Sequence, residues 1–175
     1  MTLRFRIGVV AAAAVVSLPA SLLAAPQGML NKTVSMSFEV SIPATNSAGR
    51  QESTRRAMQK QWYVSSAGRV FSRTARQAGR VAETKDVTPG SSEGAPRIQG
   101  NTIVGTVGMI SGAMRLVVAF DSTFSSCTAS VTPGREGGRA ITWKGMNGEI
   151  YTATGPVSVS TPSCSVQSGN AFAGQ

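Results

Sequence analysis

The chain is expected to fold as an all-β protein. The reading is an antiparallel meander of about eight to ten short strands, a small barrel slightly favoured over a sandwich, with one disulfide. Three observations carry it. Residues 33–42 alternate without a break, turn-forming clusters recur at short spacing through the second half, and long helix-forming stretches are missing while Ser, Thr and Gly abound.

The first 24 residues are set apart from this fold. Arg4 and Arg6 precede an apolar run, Ile7 to Leu23, which ends in small residues. That is the three-part build of a secretory signal peptide. A membrane-spanning helix needs about 20 apolar residues; this run is shorter, contains Pro19 and lacks a basic stop-transfer cluster. Cleavage after Ala24 is expected, because Pro26 disfavours a cut after Ala25. The organisation is therefore 1–24 signal peptide and 25–175 a single β-rich domain, exported to the periplasm or outside the cell. No later stretch is long and apolar enough to span a membrane after processing.

In Thr33 to Ile42 one face carries Val34, Met36, Phe38, Val40 and Ile42, and the other carries Thr33, Ser35, Ser37, Glu39 and Ser41. Period-two alternation marks a half-buried strand. Pro43 is expected to end it, and the polar segment 44–57 reads as a long loop. Gln59 to Ser65 and Arg69 to Ala75 form a hairpin around "SSAG". Gly68 suits the left-handed position of a three-residue loop, pairing Ser65 with Arg69. Trp62, Val64 and Val70 then share one face, and Tyr63, Phe71, Arg69 and Arg73 the other. Residues 77–96 read as a second long loop. Beyond it come "RIQGNTIVGTV" with a turn at Gly100-Asn101, Met114 to Asp121, the "DSTF" connection, Ser125 to Val131, and the "GREGG" turn. "RAITW", the "KGMNGE" turn, "IYTATG" and "VSVST" complete the strand-and-turn series. Consecutive short turns suit up-and-down connectivity, hence the preference for a barrel.

Two cysteines follow the leader, Cys127 and Cys164. An exported chain meets an oxidising compartment, so a disulfide between them is expected, worth about 4 kcal/mol in the chain-entropy model.

"YVSSAGRVFSR", "VAFDSTFSSCTASV" and "SCSVQSGNAFA", behind a signal peptide, resemble small exported proteins of rhizobia and related alphaproteobacteria. The resemblance implies a Gram-negative, periplasmic protein and brings no activity, ligand or catalytic residue.

Catalytic and cofactor chemistry finds little to stand on. The chain has no histidine, the side chain best suited to moving protons near neutral pH. No enzyme activity, metal site or cofactor is expected. "GSSEG" (Gly90 to Gly94) matches the nucleophile-elbow pattern, but Ser92 lacks the preceding strand, the following helix and the histidine that the motif requires. Glu83, Asp86 and Glu93 match no calcium-loop spacing, and Lys85 intrudes among them. "GREGGR" lacks the lysine and hydroxyl of a phosphate loop and reads as a turn. Asn31-Lys32-Thr33 is a glycosylation sequon, relevant only in a eukaryotic host.

Charge is the informative feature. The chain carries 17 basic and 8 acidic residues; without Arg4 and Arg6 the balance is 15 against 8, or +7. Between Arg50 and Arg80 lie eight basic residues (Arg50, Arg55, Arg56, Lys60, Arg69, Arg73, Arg76, Arg80) and one acidic, Glu52. That segment carries the whole excess. Solubility alone is served by dispersed charge. The functional reading is an anion-binding surface for lipid, polysaccharide or acidic protein, with Tyr63 and Phe71 adding cation–π contacts. Nucleic acid is not an expected partner of an exported protein. The competing reading is a strand edge protected by charge, with arginine stems lying on apolar surface. The function expected is that of a non-enzymatic binding or interaction protein. Alternatives are a barrel holding a small apolar ligand and an inhibitor of exported proteases.

These expectations meet at the ends of the mature chain. Intact mass of the exported protein under non-reducing conditions should correspond to a start at Ala25 with no alkylatable thiol. A retained leader or two free thiols would show the sequence misread.

Overall fold

The alternation that marks the first strand runs further than its hydrophobic signature. In a computed structural model, which describes residues 25–76, 85–86, 96–109, 112–134, 141–145 and 147–172, strand β1 spans Lys32–Asn46. Pro43 does not end it. β2 (Gln51–Val64) pairs with β1 antiparallel over nearly its whole length, from Lys32↔Val64 to Thr45↔Gln51, with Pro43 opposite Ser53. The expected loop 44–57 is thus mostly paired strand, and only residues 47–50 form the tip of a long hairpin. The sequence does not show this because β2 is polar on both faces up to Ala57, so no period appears, while backbone pairing to an already ordered strand holds it.

β3 (Val70–Arg76) continues the meander against β2, and β4 (Lys85–Asp86) is a short edge piece on β3. A second sheet follows: β5 (Arg97–Gln99), β6 (Thr102–Met109), β7 (Gly112–Phe120) and β8 (Cys127–Thr132), each paired with the next. β9 (Thr142–Lys144) and β10 (Ile150–Ala153) make a last hairpin. β10, β11 (Ser158–Val159) and β12 (Ser163–Ser168) then run back along the free edge of β1. The result is all β, with one curled, half-barrel sheet and a second sheet beside it.

β10 to β12 are one interrupted strand. From Ala44↔Ala153 to Val40↔Val159, β1 advances four residues and the returning chain six. From Val40↔Val159 to Met36↔Cys164 the steps are four and five. The extra residues fall at Gly155-Pro156 and Thr161-Pro162, where a missing N–H breaks the ladder. The odd step exchanges the faces: Tyr151, Ala153 and Val159 share β1's inner side as odd-numbered residues, Cys164 and Val166 as even-numbered ones. Counted as one strand, these pieces leave ten of the twelve described strands, the upper end of the expected range. The return to β1 is a long-range closure that an up-and-down reading does not contain.

The hairpin tips share one solution. At 46–50, 65–69 and 145–149 the first residue donates its N–H to the carbonyl of the fifth, and a glycine in fourth place donates to the first. Gly49, Gly68 and Gly148 all have φ near +80°, the left-handed conformation that three-residue loops demand. The predicted Ser65–Arg69 closure is among them, at 2.8 Å.

The core lies between the sheets. β1 contributes Val34, Met36, Phe38, Val40 and Ile42, β2 contributes Met58, Trp62 and Val64, and the second sheet adds Ile103, Leu116 and Val118, all buried. Trp62 crosses to the second sheet at Gly105, where an added Cβ would stand 2.7 Å from the indole ring. The sheets are also linked by the Cys127–Cys164 disulfide, joining β8 to β12 with Cα atoms 5.7 Å apart. Among the described residues no helix is long and apolar enough to cross a membrane. The expected leader, residues 1–24, lies outside the described residues, as does Ser92.

Replacing Gly105 with alanine should push Trp62 out of its seat. Overpacking of this kind costs about 1–3 kcal/mol, read as a lowered urea midpoint with an unchanged slope. An unaffected midpoint would mean that the sheets separate here freely.

Candidate functional site

The hairpin of β2 and β3 places its side chains as the register dictates. Trp62, Val64 and Val70 point inward and are buried, while Gln61, Tyr63, Arg69, Phe71 and Arg73 occupy the outer face. On that face a row of rings and guanidinium groups forms. Arg69 lies over Phe71, 5.4 Å from its centroid. Phe71 stacks with Tyr63 at 6.1 Å, and Tyr63 meets Phe172 edge-on at 6.3 Å. Arg73 lies over Phe172 at 5.2 Å. Each contact is of the kind that the ring quadrupole favours.

Phe172 was not anticipated. It arrives from the far end of the chain, held by a short strap. Gly169, at φ 85°, turns the chain out of β12 and donates its N–H to the Asn31 carbonyl at 2.7 Å. The Thr33 hydroxyl donates to the Gly169 carbonyl at 2.7 Å and accepts from the Ala171 amide at 3.0 Å. Thr33, expected on the solvent face, is therefore 1% exposed, and Phe172 is 8% exposed. A lone aromatic in "SGNAFA" carries no periodic signal, so nothing local reveals this contact.

The strap is nearly balanced energetically. Burying one phenylalanine contributes about 2–3 kcal/mol, its ring and cation contacts about 1–2 kcal/mol, and the four hydrogen bonds, counting Phe172 N–H to Asn170 Oδ1 at 2.9 Å, about 1 kcal/mol each. Ordering four residues costs about 4–8 kcal/mol. The two sides agree to within a few kcal/mol.

The basic residues singled out by composition do not form one patch. Arg50 closes the β1–β2 turn, exposed; Arg55 is exposed on the outer face and Arg56 on the inner. Lys60 is inner and half-buried, donating to the Thr74 hydroxyl at 2.9 Å. Arg69 is exposed at the opposite hairpin tip, whereas Arg73 is buried at 8% exposure. Arg76 ends β3, and Arg80 lies outside the described residues. Along the 14 residues of β2 the contour from Arg50 to Arg69 is roughly 45 Å.

Two further polar clusters hold loops. Asn46, 6% exposed, donates through its side-chain amide to Glu149 Oε2 at 2.9 Å while its Oδ1 accepts from the Ala48 and Arg50 amides. Asn147 and Tyr151 also donate to Glu149, at 3.1 and 3.3 Å, and Tyr151 stacks with Trp143 at 5.7 Å. The Asn147 amide lowers the Tyr151 pKa, but desolvation and the charges of Glu52 and Glu149 outweigh it and raise the hydroxyl. This network ties the β1–β2 tip to the β9–β10 tip. In the other cluster Asp121 gathers the Thr123, Ser125 and Ser126 hydroxyls and the Ser125 and Ser126 amides. Desolvation opposes its ionisation, yet these hydrogen bonds hold the carboxyl well below the usual carboxylate range. Phe124, at φ 54°, is thereby presented against Phe120, and its carbonyl accepts from Lys32 Nζ at 2.6 Å. Among the described residues no group of three or more His, Cys, Asp or Glu side chains is placed to hold a metal ion.

The depressed Asp121 pKa has a sign. A group more acidic in the folded state stabilises above its unfolded pKa of about 3.9, and that contribution is lost as pH falls below it. Asp121→Ala should therefore lower the thermal midpoint at pH 7, and the gap to the wild type should narrow below about pH 4. A gap independent of pH would assign the loss to the loop backbone alone.

Comparison with protein-family models, curated proteins and solved structures finds no match to this chain.

Proposed function

We propose that the protein is an exported, disulfide-stapled β-domain that acts by binding, not catalysis, and that it engages a linear polyanion such as an acidic polysaccharide of the cell envelope. The disulfide suits an oxidising destination, and a chain without histidine suits a binding role.

The observation that carries the choice of partner is the placement of the exposed arginines. Arg55 and Arg56 leave opposite faces of β2, with Arg50 at one end and Arg69 at the other. A flat lipid surface meets one face at a time. Ile150, at 50%, is the single large hydrophobic side chain exposed among the described residues, so little apolar anchoring supports a membrane reading. A flexible linear chain can follow a charged strand and reach both of its faces, each contact releasing counterions, as along any polyelectrolyte. Tyr63 and Phe71 beside Arg69 add a surface on which sugar rings can lie. The apolar-ligand reading draws no support from the Trp62–Gly105 contact, where the interior is filled.

Dextran sulfate is the probe, with phosphatidylglycerol vesicles as the second arm. Binding to the polysaccharide should be strong at 0.1 M salt and largely lost by 1 M, as the screening length falls from ~10 to ~3 Å. The triple variant Arg55→Gln, Arg56→Gln, Arg69→Gln should bind roughly tenfold more weakly, at about 0.5 kcal/mol per exposed charge. Arg73 is left intact because, being buried, its loss would disturb packing. Unchanged affinity would assign these arginines to edge protection, and preference for vesicles would replace the polysaccharide with a membrane.

A further inference from the structure

The aromatic–arginine row is only partly open. Arg69 is exposed at one end, while the strap lays Phe172 over Tyr63 and Arg73 at the other. Among the described residues beyond Ser168, no strand pairing holds the strap. Its backbone rests on Asn31 and on the Thr33 hydroxyl, and Gly169 at φ 85° provides a pivot between it and β12. A segment whose gain and cost are nearly equal belongs to the class that opens locally rather than through global unfolding.

We propose that Gly169–Phe172 is a releasable strap that gates the row. Closed, it covers the Tyr63–Arg73 half; open, it presents both to the linear polyanion proposed above, a partner reading on which this inference rests. The gate follows from what the strap covers. The ring that leaves is the one lying under the Arg73 guanidinium, so release opens that face of the group to an arriving anion while its other contacts remain. The apparent affinity of a site open for only a fraction of the time is reduced by that fraction. Weakening the strap therefore strengthens binding.

Two measurements on the full chain test it. In native-state hydrogen exchange, the Gly169 and Ala171 amides should exchange at least about tenfold faster than those of Val34 and Met36. Exchange of all four together, through global unfolding, would overturn the strap. In dextran sulfate binding, Phe172→Ala should raise affinity several-fold, up to about tenfold. Thr33→Val, which keeps the strand but removes both hydroxyl bonds to the strap, should act in the same direction and guards against misfolding of the first variant. If the Arg55, Arg56 and Arg69 substitutions weaken binding while Phe172→Ala and Thr33→Val leave it unchanged, the polyanion reading stands and the gate is wrong. If no form binds the polysaccharide, that reading fails and the gating role falls with it. The exchange experiment then decides separately whether the strap opens at all.

Discussion

Everything in this fold depends on β1 having both of its edges filled. β2 occupies one edge nearly from end to end, and the returning chain β10, β11 and β12 occupies the other. A strand flanked this way leaves few backbone groups for water, so its inner residues, Val34 to Ala44, can be buried without polar penalty. The two edges differ in kind. The β1–β2 pairing is local, closed by a five-residue tip, while the bond from Thr33 to Gly169 spans 136 residues. The second edge carries a much larger loop-closure cost, and the prolines and extra residues of the returning chain fall on it.

The second sheet is tied to the first by chemically different links. Trp62 seats on Gly105, Lys32 reaches the Phe124 carbonyl, and Cys127 is bonded to Cys164. The disulfide joins β8 to β12, strands that do not belong to a common sheet. Covalent linkage thus supplies at that seam what hydrogen bonds supply elsewhere. It also shortens the unfolded chain's freedom across the same long-range closure, which is where chain entropy opposes folding most.

How much of this was legible depended on where the signal resided. The inner face of β1, the β2–β3 register and the Gly68 tip could be read, because each is set by alternation or by one residue's backbone freedom. The extension of β1 through Pro43 could not. Its proline stands opposite Ser53 in an unbroken register, and the partner strand there, Gln51 to Ala57, shows no period at all. The turn at Asn46 to Arg50 did carry its signals, an Asx residue and a glycine three later, but polar flanks made it look like part of a loop. Tyr63, Phe71 and Arg69 were correctly assigned to one face. Their closing partner Phe172 was invisible, because no sequence spacing encodes a contact made by a segment crossing from the other edge of β1.

If the polyanion reading holds, the two explanations of the basic segment share a physical origin. β3 pairs with β2 only from Met58 onward, so among the described residues the outer edge of Gln51 to Ala57 has no strand beside it. An unpaired strand edge invites another chain, and on the edge-protection reading Arg55 and Arg56, one on each face, would oppose a neutral or basic strand by desolvation and repulsion. The same arrangement is permissive towards a partner that is acidic and is not a β-strand. Such a partner needs no backbone pairing and meets positive charge from either side. On the reading proposed above, edge protection against polypeptide and attraction for a polyanion are therefore compatible uses of these arginines. One placement of charge would exclude the first class of partner and favour the second.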